Sequence, residues 1–250
     1  MKDPTFLLQA GDIMTAEKTA CCFSNIPVRY CKFEDLGNLD KEESRFKFVP
    51  VGSVEFTKEY ANCTGLKLPE ESISYLHNME KYLKRRVERK KFKDAEPGEF
   101  VKPYSVKSFT GDIKMFLKGA DTVDPECEVW SCAHVPFESE FRFYVHDFVS
   151  GPKILGWARY DDEPVTNPEP NVGMVEEIAW DLHNDLGPSS YSIDIGWRPD
   201  LKEYCLVELN DGWSLGYYTS TDPQSNPPTR QDYADMLVSR WTQILFCNLV

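Results

Sequence analysis

Between Ser190 and Tyr218 the chain sets three oxygen-bearing side chains, Asp194, Glu208 and Asn210, into two neighbouring β-like segments. In Leu206-Val207-Glu208-Leu209-Asn210, the two-residue period of a strand sends Glu208 and Asn210 to one face, while Leu206, Val207 and Leu209 supply apolar packing. Arg198-Pro199-Asp200 reads as a turn, so a hairpin carries Asp194 alongside that pair. Two carboxylates and an amide oxygen suit Mg²⁺, which takes a few such oxygens and leaves its other positions to water and phosphate. A lone Glu-x-Asn on a strand is more commonly a solvated edge, so the residues upstream must decide between the two readings.

The bulk of the chain narrows the classes. At 250 residues and 41% hydrophobic content it is long enough for two small domains, or for one larger domain with a lid. Its 28 Lys+Arg against 41 Asp+Glu give a net charge of −13, which opposes general binding to nucleic acid or anionic membrane while leaving room for a local basic groove. Eight scattered cysteines with no C-x-x-C spacing read as reduced thiols of a cytoplasmic protein. No run reaches the roughly 20 apolar residues of a membrane span, and the amino terminus has too short an apolar run for a secretory signal. Neither the four histidines nor any serine shows the spacing of a zinc site or a nucleophile elbow.

Taken in order, the chain begins as a small α/β unit. Strands are expected at Thr5 to Gln9, Val28 to Phe33 and Phe46 to Val51, with a helix from a Thr15 cap to Phe23 and another over Val54 to Asn62 behind the Gly52-Ser53 turn. After a connector, Tyr75 to Lys93 is strongly basic, and reads either as a solvated helix face or as the wall of a groove facing polyphosphate. Phe100 and Val101 form a short strand that places Lys102 at its end. The Tyr104 to Gly111 loop then offers Ser105, Lys107, Ser108 and Thr110, small donors able to cover phosphates, although it is no Walker A loop.

Further strands are expected at Glu128 to Val135, Glu140 to Val145 and Lys153 to Tyr160, the last bringing in Arg159. Alternation puts Glu140, Arg142 and Tyr144 on one side and Phe141, Phe143 and Val145 on the other, so the charged side either meets water or lines a site. Helical spacing recurs over Val172 to Leu186 and from a Thr229 cap to about Phe246.

With Phe100-Val101-Lys102-Pro103, Val106 to Gly111, Ser139 to Arg142, Ile193 to Gly196 and Leu206 to Tyr218 in this order, the chain resembles the ATP-grasp superfamily. More narrowly it is similar to the phage and bacterial clade named for one arginine and two lysines, and Val49 to Phe56 shares in the likeness. The resemblance implies an α+β fold in three parts: a small N-terminal α/β domain (1–74), a lid (75–135) and a C-terminal antiparallel-sheet subdomain (136–250) that binds metal and nucleotide. It further implies that Lys102 contacts phosphate and Lys107 sits in the phosphate loop with Ser108 and Thr110. The hinge Ser131 to Val135, including Ala133, would read adenine through its backbone. Arg142 would neutralise the transferred phosphate or the substrate carboxylate, with Arg159 as helper and Arg86 or Arg89 as an early cationic contact, and Asp194, Glu208 and Asn210 would hold Mg²⁺. Ala133-His134 stands where the hinge often carries a Glu, which puts the adenine or ribose contact in question.

The activity so implied is an ATP- and Mg-dependent ligase joining a carboxylate to an amine, small molecule or peptide, through an acyl phosphate. Two alternatives stand beside it. One is a nucleotide-binding assembly factor without turnover, whose acidic loop, Asp161 to Glu169, would meet a protein partner. The other is a plain α/β protein with solvated carboxylates.

Overall fold

Phe6, Leu7 and Leu8 are all fully buried, as an apolar run is in a strand flanked on both edges and covered on both faces. The strand is β1 (Thr5–Gln9), central in a parallel sheet of order β2-β1-β3 with β2 (Val28–Cys31) and β3 (Phe48–Val51). The computed structural model describes every residue except 2, 12, 70–71, 105–108, 162–167, 186 and 250. Helices α1 (Ala16–Cys22), α2 (Lys41–Lys47) and α3 (Val54–Thr64) connect and follow these strands. Thr15, Asp40 and Ser53 cap them by accepting the amides of Lys18, Glu43 and Phe56, each cap worth about 1 kcal/mol. The third strand is shorter than the expected Phe46 to Val51 because Lys47 closes α2, and β2 gives way at Phe33 to a 3₁₀ turn.

The basic run departs from a helical reading. Only α4 (Glu80–Leu83) is α-helical, with 3₁₀ turns at His77–Met79 and Phe92–Asp94; Lys84 ends α4 in a left-handed conformation, and Val87 to Lys91 forms strand β4. With β5 (Glu99–Pro103), β6 (Asp112–Ile113) and β7 (Glu128–Ala133) it makes an antiparallel sheet of order β4-β7-β5-β6. A strand alternates its side chains, so the cations divide between two faces and pair with neighbouring acids: Lys90 with Glu99 and Lys91 with Glu126. Phe92, Ala95, Val101, Leu117 and Val129 close a small core on one side of this sheet.

The third sheet, of order β11-β10-β8-β9, is antiparallel and built from β8 (Glu140–Phe148), β9 (Gly151–Arg159), β10 (Ser190–Arg198) and β11 (Glu203–Asp211). Helix α5 (Val172–Asn184) lays Val175, Ile178, Ala179 and Leu182 against Phe141, Phe143, Ile193 and Leu209 on one face of it. That leaves the opposite face, carrying Arg142, for other work. Helix α6 (Arg230–Cys247), capped by Thr229, instead joins the core of the first sheet, where Trp241 meets Tyr60 edge to face at 5.7 Å.

Candidate functional site

Cross-strand register, rather than proximity in sequence, assembles the charged row. Asp194 on β10 stands opposite Arg142 on β8 and opposite Glu208 on β11, and Asn210 stands opposite Ser192. The register slips between Asp194 and Ile195: Asp194 faces Glu208, but Ile195 faces Leu206, so Val207 is the extra residue of a β-bulge. This corrects the simple alternation expected of Leu206 to Asn210. Leu206 and Leu209, three residues apart, both join the core under α5, while Glu208 and Asn210 join the charged row. The bulge aims the carboxylate.

Each group in the row is satisfied by another. Arg142 donates through Nε to Asp194 Oδ1 at 2.9 Å and through Nη2 to Oδ2 at 2.7 Å, a bidentate pair with Asp194 only 1% exposed. Burial pushes the Asp194 carboxyl upward against the pull of the guanidinium. Burial also disfavours the charge of Arg142, but Asp194 more than offsets it. Removing one partner of such a pair costs roughly 3–5 kcal/mol, because the other is left buried and uncompensated. Asn210 Nδ2 donates to Asp194 Oδ2 at 3.0 Å and Glu208 Oε1 at 2.9 Å.

Lys102 reaches this row from the second sheet. Its ammonium pairs with Glu208 Oε2 and donates to Ser74 Oγ at 3.1 Å. Burial would raise the Glu208 carboxyl, but the Lys102 charge and hydrogen bond, with Asn210 helping, hold it down to about 2. Around Arg142, the Tyr218 ring lies 5.0 Å and the Tyr160 ring 5.7 Å from the guanidinium carbon, the two rings stacked on each other. Tyr160 donates to Glu140 Oε2 at 2.6 Å, and burial pushes the Glu140 carboxyl up.

The other residues singled out from sequence are placed differently. Arg159 is buried with its guanidinium on Asp161 (2.9 and 3.0 Å) and Asp222 (3.2 Å), outside the row. Arg86 is exposed and pairs with Glu88, and Arg89 pairs with Glu128 over the Tyr104 ring. Ser131 is inside β7, flanked by Glu88 of β4 and Val101 of β5, with its hydroxyl on Glu99 at 2.8 Å. Since Val87, opposite Cys132, is the last β4 residue in register, backbone free of that neighbour starts at Ala133 and runs on through Val135. Thr110 is exposed; Lys107 and Ser108 lie outside the described residues, as does most of the Asp161 to Glu169 loop. Sequence reasoning passed over Ser74, Arg85, Tyr160 and Tyr218, whose partners in the site lie from 18 to more than 100 residues away and leave no local spacing to detect.

The donor set suits a hard cation. Among the described residues no three His, Cys, Asp or Glu side chains cluster as a metal site. Here the set is two carboxylates and an amide, and a single Asn210 nitrogen touches both carboxylates, so a half-turn of that amide turns its oxygen to the same place.

Residues 82–225 match the description "ATP-grasp domain, R2K clade family 2". No curated protein matches the chain. Among solved structures, the chain is similar to the ATP-grasp ligase PsnB complexed with minimal precursor, at 16% identity over 62% of this chain and 54% of that one, with a TM-score of 0.38. It is also similar to N5-carboxyaminoimidazole synthase from Aspergillus clavatus, at 10% identity over 84% and 70% with a TM-score of 0.40. D-alanine–D-alanine ligase from Bacillus anthracis is 10% identical over 98% and 99%, with a TM-score of 0.44. The chain spans about half the length of PsnB.

Proposed function

This chain belongs to the ATP-grasp family, R2K clade family 2, and from that premise we propose that it is an ATP- and Mg-dependent ligase joining a carboxylate to an amine. The observation that carries the proposal is the convergence of Lys102, Arg142, Asp194, Glu208 and Asn210 on the sheet face that α5 leaves open. In this reading the sheets correspond to an N-terminal domain over 1–74, a lid over 75–135 and a metal- and nucleotide-binding subdomain over 136–250.

Asp194, Glu208 and Asn210 would hold Mg²⁺, which offsets the negative charge of the triphosphate when bound. Lys102 leaves Glu208 for a phosphate oxygen. Arg142, held in a fixed orientation by Asp194 and the Tyr218 ring, fixes positive charge where a carboxylate and the γ-phosphoryl group approach each other. The carboxylate oxygen attacks the γ-phosphorus and ADP leaves; the amine then attacks the acyl carbon, and phosphate and a proton depart. The hinge backbone from Ala133 to Val135 reads adenine in this scheme, and Phe137 and Val207 supply apolar surface beside it. Gly196 makes room there, since a Cβ on it would stand 2.5 Å from the Phe137 ring.

Thermal unfolding with ATP, with Mg²⁺ and with both tests the proposal, because a ligand that binds only the native state raises its stability. The expected result is a rise with both ligands that is lost in Glu208→Ala/Asn210→Ala. An unchanged rise in that double variant would remove the metal assignment, and no rise in the unaltered protein would remove the nucleotide site.

A further inference from the structure

Among the described residues β11 ends its sheet, so its outer backbone groups have no strand partner there. The connector into the second sheet supplies partners in its place. Leu209 N–H donates to Ser74 O at 3.2 Å, and Arg85 donates through Nη1 to Leu206 O at 2.8 Å and through Nη2 to Val207 O at 2.7 Å. In a regular strand, successive carbonyls point to opposite edges. Here two consecutive carbonyls turn to the same guanidinium because Val207 is the bulged residue, and a planar fork is the side chain that can span both. The guanidinium carbon lies 5.6 Å from the Phe137 ring and 5.8 Å from the Tyr75 ring, which hold it in place.

We infer that Arg85 is a positioning residue for Glu208: by bridging the Leu206 and Val207 carbonyls it fixes the bulge that turns the Glu208 carboxylate toward Asp194 and Asn210, and so sets the affinity for Mg²⁺. The role rests on the Mg-ATP reading above. Without the fork, the bulge can relax toward regular pairing, and a one-residue slip in register moves a side chain to the opposite face. Val87, two residues beyond Arg85, starts β4, so the same contact ties the Lys102-bearing sheet to the strand Lys102 reaches.

The test titrates Mg²⁺ at fixed ATP by calorimetry on the full chain and on Arg85→Ala, Arg85→Lys, Glu208→Gln and the Arg85→Ala/Glu208→Gln double variant. Loss of a group that orients a metal ligand typically costs about 10- to 100-fold in metal affinity. Arg85→Ala is expected to raise the Mg²⁺ midpoint by about 10-fold or more. Arg85→Lys keeps the charge but has no fork, and is expected to raise the midpoint by a smaller factor. In the Glu208→Gln background, Arg85→Ala should change the midpoint no further. Arg85 variants that lose thermal stability but keep the wild-type midpoint would overturn the inference, as would equal effects of Arg85→Ala with and without Glu208. If Arg85→Ala does not fold, Arg85→Lys decides alone, a wild-type midpoint overturning the inference. An unaltered protein that binds ATP without any need for Mg²⁺ would overturn the metal reading itself, and this inference with it.

Discussion

Replacing Glu208 by Gln isolates one ion pair, because the amide keeps the shape of the side chain and mimics its protonated form. In the folded protein the Lys102 ammonium holds the Glu208 carboxyl at about 2, against an ordinary value of 4.5. The folded value is depressed, so the stabilisation is fully present above pH 4.5 and is lost as pH falls toward 2. At about 1.36 kcal/mol per pKa unit, the difference amounts to roughly 3 kcal/mol at pH 7 and shrinks by more than half by pH 3. Urea unfolding of the protein and of Glu208→Gln at matched pH values between 3 and 7 measures it as a gap that narrows on acidification. Carboxylates remote from Glu208 titrate alike in both proteins and cancel in the gap, while Asp194 and Glu140, which feel the Glu208 charge, contribute to it. A gap of constant size across that range, or none at pH 7, would refute the account of Glu208 as an ionised partner of Lys102.

Lys102→Ala should weaken Mg-ATP binding far more than Lys91→Ala, since Lys91, on the outermost strand, pairs with exposed Glu126; equal losses in a binding titration would transfer the phosphate contact to the basic strand. Arg159→Ala should destabilise the fold by about 3 kcal/mol by removing the guanidinium that Asp161 and Asp222 share, yet keep the Mg-dependent thermal shift, and loss of that shift would give Arg159 a place in the site. Among the described residues the buried Trp130 indole N–H has no hydrogen-bond partner, so Trp130→Phe should change unfolding free energy by no more than about 1 kcal/mol, in either direction. A loss of several kcal/mol would show that the indole N–H is satisfied.

Where a feature is encoded by period, the chain discloses it. The buried run at Phe6 to Leu8, the caps at Thr15, Ser53 and Thr229, and the hairpin that pairs Asp194 with Glu208 all follow from local spacing. The basic run misleads because Lys and Arg carry no period of their own. Whether Val87 to Lys91 forms a strand is decided by Glu128 to Cys132, about 40 residues on, which offers an edge to pair with. The bulge at Val207 is equally silent: Leu206 to Asn210 satisfies plain alternation, and only Arg85, more than 100 residues earlier, shows which carbonyls turn outward. The candidate site is thus legible in its composition and hidden in its aim.

The pairing within the site bears on how ligands enter it. Lys102 and Arg142 carry two positive charges, Asp194 and Glu208 two negative ones, and each cation is bonded to a carboxylate. A protein of net charge −13 offers a polyanion little attraction at a distance, and screening within about 8 Å at physiological ionic strength leaves the local groups to decide. Those groups are mutually neutralised, so triphosphate alone must pull Lys102 from Glu208 and leave a carboxylate exposed to phosphate oxygens. Magnesium alone must take carboxylates already held by Lys102 and Arg142. Together the two ligands exchange partners: the metal binds the carboxylates and the phosphates take the freed Lys102, while Arg142 stays on Asp194, leaving no charge stranded. The geometry therefore predicts that ATP and Mg²⁺ each bind weakly alone and strengthen one another by the same factor, as linkage requires. Separate titrations of each ligand, with and without the other, measure that factor, and independent binding would mean that the ion pairs stay closed when the nucleotide arrives.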